Sequence, residues 1–148
     1  MTTDNIAQKT SKKREYLLDC YKKTRALTEE LVSKITPEDQ TIQSMNDASP
    51  VKWHRAHTSW FFESFILRPY LKNFNNYNSN YNYLFNSYYD GAGERYSRKN
   101  RGLITRPDCN EITRYRNYID SNIDKIIEIS KPEIWEQVYP LIQLGLHH

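Results

Sequence analysis

Apolar residues recur every three or four positions along four stretches of the chain, the spacing of amphipathic helices. From Ser11 to Ile35 the series Leu17, Tyr21, Thr24, Leu27, Leu31 and Ile35 runs between charged positions, and Pro37 stops it. The second stretch opens at Ser49-Pro50, an N-cap followed by the residue best suited to the first helical position. It runs through VKWHRAHTSWFFESFILR and breaks at Pro69. The third starts at Asp108, with Glu111 as its capping-box partner, and buries Ile112, Tyr115, Ile119, Ile123 and Ile126. The fourth follows Ser130 and Pro132, is disturbed at Pro140, and carries Val138, Leu141, Ile142, Leu144 and Leu146 to the end. No stretch alternates convincingly as a strand would, and there is no internal repeat. The pattern predicts an all-α fold, most simply an antiparallel four-helix bundle over residues 11–148 behind a flexible 1–10 segment.

A long connection separates the second and third helices: LKNFNNYNSNYNYLFNSYYDGAGERYSRKNRGLITRP, rich in Tyr, Asn and Arg, with glycines at 91, 93 and 102. Compact bundles carry so long an irregular link when it is functional or disordered. Its apolar and aromatic residues between Leu71 and Ile104, chiefly tyrosines, argue against simple disorder. An ordered functional loop is expected, with a short helix around Tyr83 to Tyr89.

Composition narrows the classes. A chain of 148 residues makes one domain. Hydrophobic content of 38%, with 14% aromatic and 26% charged residues, excludes collagen-like and simple disordered chains. No apolar run approaches the roughly 18 residues of a membrane span, and MTTDNIAQKTSKKREY lacks the apolar stretch of a signal peptide. A cytoplasmic protein with no membrane partner is expected. Cys20 and Cys109 form neither a disulfide framework nor a cysteine-rich metal site, and both are expected reduced and buried. A net charge of +3 is too small to argue for nucleic acid.

The candidate chemistry lies in four histidines, paired as His54/His57 and His147/His148. At about 100° per residue, Trp53, Ala56, His57, Trp60, Ser64 and Leu67 form one stripe, with His54 to the side toward Phe61 and Phe65. In the last helix Val138, Leu141, Leu144 and Gly145 define the inward arc, which includes His148, while His147 projects away with Gln143. One imidazole of each pair should therefore face the bundle interior. That arrangement suits a metal site, and equally a pair of hydrogen-bonded core histidines or a terminal tag remnant. A third protein ligand is needed. Glu63 and Asp47 are candidates by chemistry, although Glu63 points away from the His57 stripe.

The segments SPVKWHRAHTSWFFESFILRPYL, YLFNSYYDGAGERYSRKNRGLITRP and YPLIQLGLHH resemble the N-terminal DinB-like domain of the ergothioneine-biosynthesis sulfoxide synthases. The resemblance covers roughly residues 11–148. It implies a DinB-like four-helix bundle from a non-haem Fe(II) enzyme that uses O2 to join a thiol, cysteine or γ-glutamylcysteine, to hercynine. The family's histidine in W-x-x-A-H maps onto His57, and the first of its H-x-x-x-H-x-E motif onto His148. The family continues this helix as L-H-H-E-Q-Q-H-Q-E, so its third iron ligand would lie four residues past His148, one turn on. The iron site is thus expected to be incomplete in this chain, which also lacks the family's C-terminal formylglycine-generating-enzyme-like domain with its catalytic tyrosine.

The resemblance further implies that Arg98 and Arg101, in RYSRKNRG, grip carboxylates of the thiol substrate, a task for which the guanidinium fork is suited. Arg95 and Arg106 are weaker candidates, and Tyr88, Tyr89 and Asp90 are expected to brace the loop. The fragment is expected to be inactive alone, with a partner chain supplying the missing part if the gene is split. Two further readings compete. One is a stand-alone DinB-like metal-dependent thiol transferase. The other is a nucleic-acid-binding module using Arg95, Arg98, Lys99 and Arg101 with Tyr88, Tyr89 and Tyr96, which the weak net charge disfavours.

Overall fold

A computed structural model describes residues 3–148 apart from 88–90, 92 and 95, and describes residues 3–6, 98 and 101 by their backbone alone. Among the described residues the ordered elements are all helical. They are α1 (Thr3–Val32), a 3-10 turn (Asp39–Thr41), α2 (Val51–Phe62), a π turn (Glu63–Leu67), α3 (Arg68–Tyr70), α4 (Tyr81–Phe85), a 3-10 segment (Arg98–Thr105), α5 (Cys109–Ile129) and α6 (Pro132–His147). No described helix is long and apolar enough to cross a membrane.

α2 is buried on nearly every side, as befits a helix at the centre of a core. It packs against α5, α6 and α4, while α1 lies on α5 and α6. The shared core joins Leu17 and Tyr21 of α1, Trp60 and Phe62 of α2, Ile119 of α5 and Val138 of α6. Arg14 of α1 ties down the C-terminal end of α5. Its guanidinium donates to Ile127 O and, at 2.7 Å, to Ser130 O, supplying partners to carbonyls that the end of α5 leaves open.

Several sequence expectations need correction. α1 begins at Thr3 and ends at Val32, and its buried line is Leu17, Tyr21, Arg25 and Val32. Leu27 and Leu31 are 53% and 64% exposed. Arg25 occupies the core position because partners meet its guanidinium there: Asp120 Oδ1 at 2.7 Å and Ser59 Oγ at 2.6 Å. α2 starts one residue later than expected, with Pro50 itself at the cap and no side-chain capping bond.

The helix also passes Pro69 and ends at Tyr70. Ahead of the proline, the Arg68 N–H reaches back five residues to Glu63 O, and this wider turn removes the clash of the proline ring with a carbonyl four residues back. In α6, Leu144 is 55% exposed, and the inward arc is Trp135, Val138, Ile142 and Gly145. Pro140 lies on the solvent side and the helix runs through it.

The α5 pattern matches its expectation. Asp108 Oδ1 accepts the Glu111 N–H at 2.8 Å, and all five expected apolar residues are buried. The Glu111 carboxylate completes a different contact, accepting the Tyr77 hydroxyl at 2.7 Å. Cys20 and Cys109 are free thiols, half-buried rather than buried. In the long connection, helix α4 forms at Tyr81–Phe85, ahead of the expected position, and Tyr88 and Tyr89 lie outside the described residues.

Candidate metal centre

Trp53, His57 and Trp60 lie on one stripe of α2, and the imidazole of His57 is stacked between the two indoles. Its ring centroid is 4.6 Å from Trp53 and 5.4 Å from Trp60, with interplanar angles of 10° and 18°. The short α4 segment fixes all three rings. Leu84 O accepts the Trp53 indole N–H at 2.8 Å, and Asn82 Oδ1 accepts that of Trp60 at 3.0 Å. Phe85 O lies 2.6 Å from His57 Nδ1. A carbonyl oxygen only accepts, so Nδ1 carries the proton and the neutral ring presents its lone pair at Nε2.

That lone pair meets the last residue of the chain. His148 Nε2 is 2.8 Å from His57 Nε2, and Phe61 stacks on the His148 ring at 5.0 Å. With His57 Nδ1 protonated, the hydrogen bond runs from His148 Nε2–H to His57 Nε2. Burial pushes the His57 pKa down to about 4, with the neighbouring His148 and His54 adding to the effect and the Phe85 carbonyl opposing it. Burial also lowers the His148 pKa. Both rings are therefore neutral near pH 7, the protonation state in which imidazole binds metal.

The pair fits a metal-binding role by its donor chemistry. Two imidazole nitrogens each about 2.0–2.1 Å from one ion stand roughly 3 Å apart, close to the observed 2.8 Å. The carbonyl contact at the other ring nitrogen is the arrangement that orients metal-bound histidines. Among the described residues, no three His, Cys, Asp or Glu side chains are grouped to hold an ion.

Of the remaining candidates, His54 and His147 are exposed; His148 is exposed as well, but touches His57 and Phe61. Asp47 is exposed in the link before α2. Glu63 is fully buried, and accepts the Tyr115 hydroxyl and, at 3.2 Å, the Tyr77 N–H, with Arg68 Nη2 at 3.7 Å. Its carboxylate is thus engaged with α5 and the long connection. The side chains of Arg98 and Arg101 lie outside the described residues, as do Tyr88, Tyr89, Asp90 and Arg95. Their backbone segment is anchored at its far end, where the buried Lys52 Nζ donates to Thr105 O at 2.7 Å. Arg106 is exposed.

Sequence reasoning missed the supports of the pair. Phe85 acts through its main-chain carbonyl, which no residue type advertises. Asn82 accepts from both Trp60 and Arg68, the latter at 3.1 Å. Gly145 did carry a signal, as a lone glycine inside a helical pattern.

No protein-family model matches the chain, and no curated protein matches it.

Proposed function

We propose that this chain is the DinB-like, antiparallel four-helix part of a non-haem Fe(II), O2-dependent sulfoxide synthase that joins a cysteine-type thiol to hercynine. The observation that carries the reading is the approach of His57 Nε2 and His148 Nε2 to 2.8 Å. These are the two positions that the family resemblance assigns to iron. Supporting it, both rings are held neutral, and one is oriented by a main-chain carbonyl.

In this reading His57 and His148 hold Fe(II) together with a third histidine one turn past His148. Iron supplies redox chemistry toward O2 that zinc lacks. The overall reaction balances with one O2. One oxygen enters the sulfoxide and the other leaves as water, while the S–H and C–H bonds give way to the new C–S bond. The chain's own residues prepare the site. Phe85 O holds the Nδ1 proton of His57 so that Nε2 is free to bind, and the indoles of Trp53 and Trp60 shield both faces of that ring from water. Arg98 and Arg101 bind the substrate carboxylate.

The test is anaerobic Fe(II) titration of the chain, and of the chain lengthened past His148 by Glu-Gln-Gln-His-Gln-Glu, each with and without His57→Ala. The expected result is tight one-to-one binding in the lengthened chain alone, lost on replacing His57. Equal, weak binding in all four proteins would overturn the reading. Tight binding by the 148-residue chain itself would favour the stand-alone transferase.

A further inference from the structure

We infer that Gly145 is a positioning residue for the His57–His148 pair, because the absence of a side chain there lets the last turn of α6 rest directly on two phenyl rings of α2. This rests on the reading of that pair as metal-binding.

Gly145 is buried, one turn before His148. A Cβ at this position would stand 2.5 Å from Phe62 Cε1, 2.7 Å from Phe62 Cζ and 2.9 Å from Phe61 Cε1. Carbon atoms in contact settle at roughly 3.5–4.0 Å, so one added methyl group requires a shift of about 1 Å or more.

The rings have little freedom to make that shift. Phe62 is 1% exposed and sits edge-on to Tyr21, whose hydroxyl is bound to Asp120 at 2.6 Å. Arg25 lies over the same ring, and its guanidinium is held by Asp120 and Ser59. Phe61 is 2% exposed and stacks on His148 itself. The yielding element is therefore α6. Its final turn carries His148, and a displacement of about 1 Å or more takes the 2.8 Å contact out of hydrogen-bond range. Glycine inside a helix is intrinsically unfavourable beside alanine. Its presence here is explained by the close approach it permits.

The role predicts a graded and reversible defect. In the metal-free chain near neutral pH, NMR of 15N-labelled histidines reads the bond between the two Nε2 atoms through their mutual coupling. The coupling is expected in the wild-type chain, absent in Gly145→Ala, and recovered in part in Gly145→Ala/Phe62→Leu, where the two shortest approaches are gone and the 2.9 Å approach to Phe61 Cε1 remains. Co(II) affinity of the chain lengthened past His148 should fall by about tenfold or more in Gly145→Ala and recover in part in the double variant.

Persistence of the coupling in a folded Gly145→Ala overturns the inference. So does a folded double variant that shows no more coupling than Gly145→Ala, since relief of the Phe62 contact is what should repair the turn. If Gly145→Ala does not fold, the folded double variant decides by the same coupling. The NMR arm contains no metal. Its failure removes the positioning role alone, whereas failure of Co(II) to bind the lengthened wild-type chain removes the metal reading.

Discussion

Glu29 is ion-paired with two buried guanidinium groups at once: Arg116 Nε lies 2.6 Å from its Oε1, and Arg55 Nη2 2.7 Å from its Oε2. Arg116 and Arg55 are 2% and 3% exposed, so one carboxylate of α1 compensates a cation from α5 and another from α2. Hydrogen bonds complete the junction, with Arg55 donating to Gln40 and Thr113, and Arg116 to the carbonyls of Arg55 and Arg25. Burial and the neighbouring Arg25 lower the Arg116 pKa to about 10, against the opposing pull of Glu29 and Asp120.

Glu29→Gln should therefore destabilise the fold well beyond an ordinary surface change. Removing one partner of a fully buried pair costs about 3–5 kcal/mol, and the partial exposure of Glu29 reduces the expected loss to about 2–3 kcal/mol. Urea denaturation reads it directly. Glu30→Gln, at an exposed neighbouring position, should stay within about 0.5 kcal/mol of the wild type. Equal stabilities for the two variants would show that the junction contributes nothing.

A fully buried carboxylate makes a different prediction. Glu63 receives the Tyr115 hydroxyl in the interior, where burial and the carboxylate together push the Tyr115 pKa well up. Tyr115→Phe leaves Glu63 short of a donor, at a cost of about 1–3 kcal/mol. Because both groups form one unit, Glu63→Leu combined with Tyr115→Phe should cost less than the sum of the separate changes. Glu63 was the carboxylate nearest in sequence to the proposed ligands, so the same variants test its exclusion. Tyr115→Phe should leave Co(II) affinity of the lengthened chain within about twofold, and a tenfold loss would return Glu63 to the metal site.

Asn82 links the long connection to α2. Its Oδ1 accepts from Trp60 Nε1 and Arg68 Nη1, and Trp60 is fully buried. Asn82→Ala strands an indole N–H, with an expected cost of about 1–3 kcal/mol. Loosening of Trp60 should also weaken the near-ultraviolet circular dichroism of the folded protein. Asn82→Asp, which keeps the acceptor, should recover most of both signals. Failure of Asn82→Asp to improve on alanine would argue that the amide oxygen is not what holds the ring.

These relationships show where sequence reading succeeds and where physics hides the answer. The isoleucines of α5 were legible because an unbroken apolar period leaves one way to bury the helix. The inward facing of His57 was legible for the same reason, whereas the arc assigned to His148 also included the exposed Leu144, and His148 meets His57 from an exposed position. The buried face of α1 was misread because Arg25 sits in the core, and its suitability there depends on Asp120 and Ser59 from other helices. The π turn before Pro69 changes the helical register without a composition of its own. Phe85 acts on His57 through a carbonyl, a group every residue carries. The carboxylate-binding assignment of Arg98 and Arg101 came from resemblance alone, and their side chains lie outside the described residues.

The depressed pKa of His57 fixes the sign of the acid response. Its ordinary value of 6.5 falls to about 4 in the folded chain, so between these values the unfolded chain binds a proton that the folded one refuses. Stability from this residue is complete above pH 6.5 and is lost as the pH falls toward about 4. The groups facing the ring are His148, His54 and the Phe85 carbonyl, with Trp53 and Trp60 on its flanks. His148 is also lowered by burial, and contributes with the same sign. A shift of this size amounts to at most about 3 kcal/mol. Urea unfolding of the metal-free chain across this range should show wild type losing stability relative to His57→Gln, whose amide can still donate to Phe85 O without titrating. Parallel curves for the two proteins would mean that the imidazole is not held neutral in the core, and would remove the argument that His57 meets a metal with its lone pair ready.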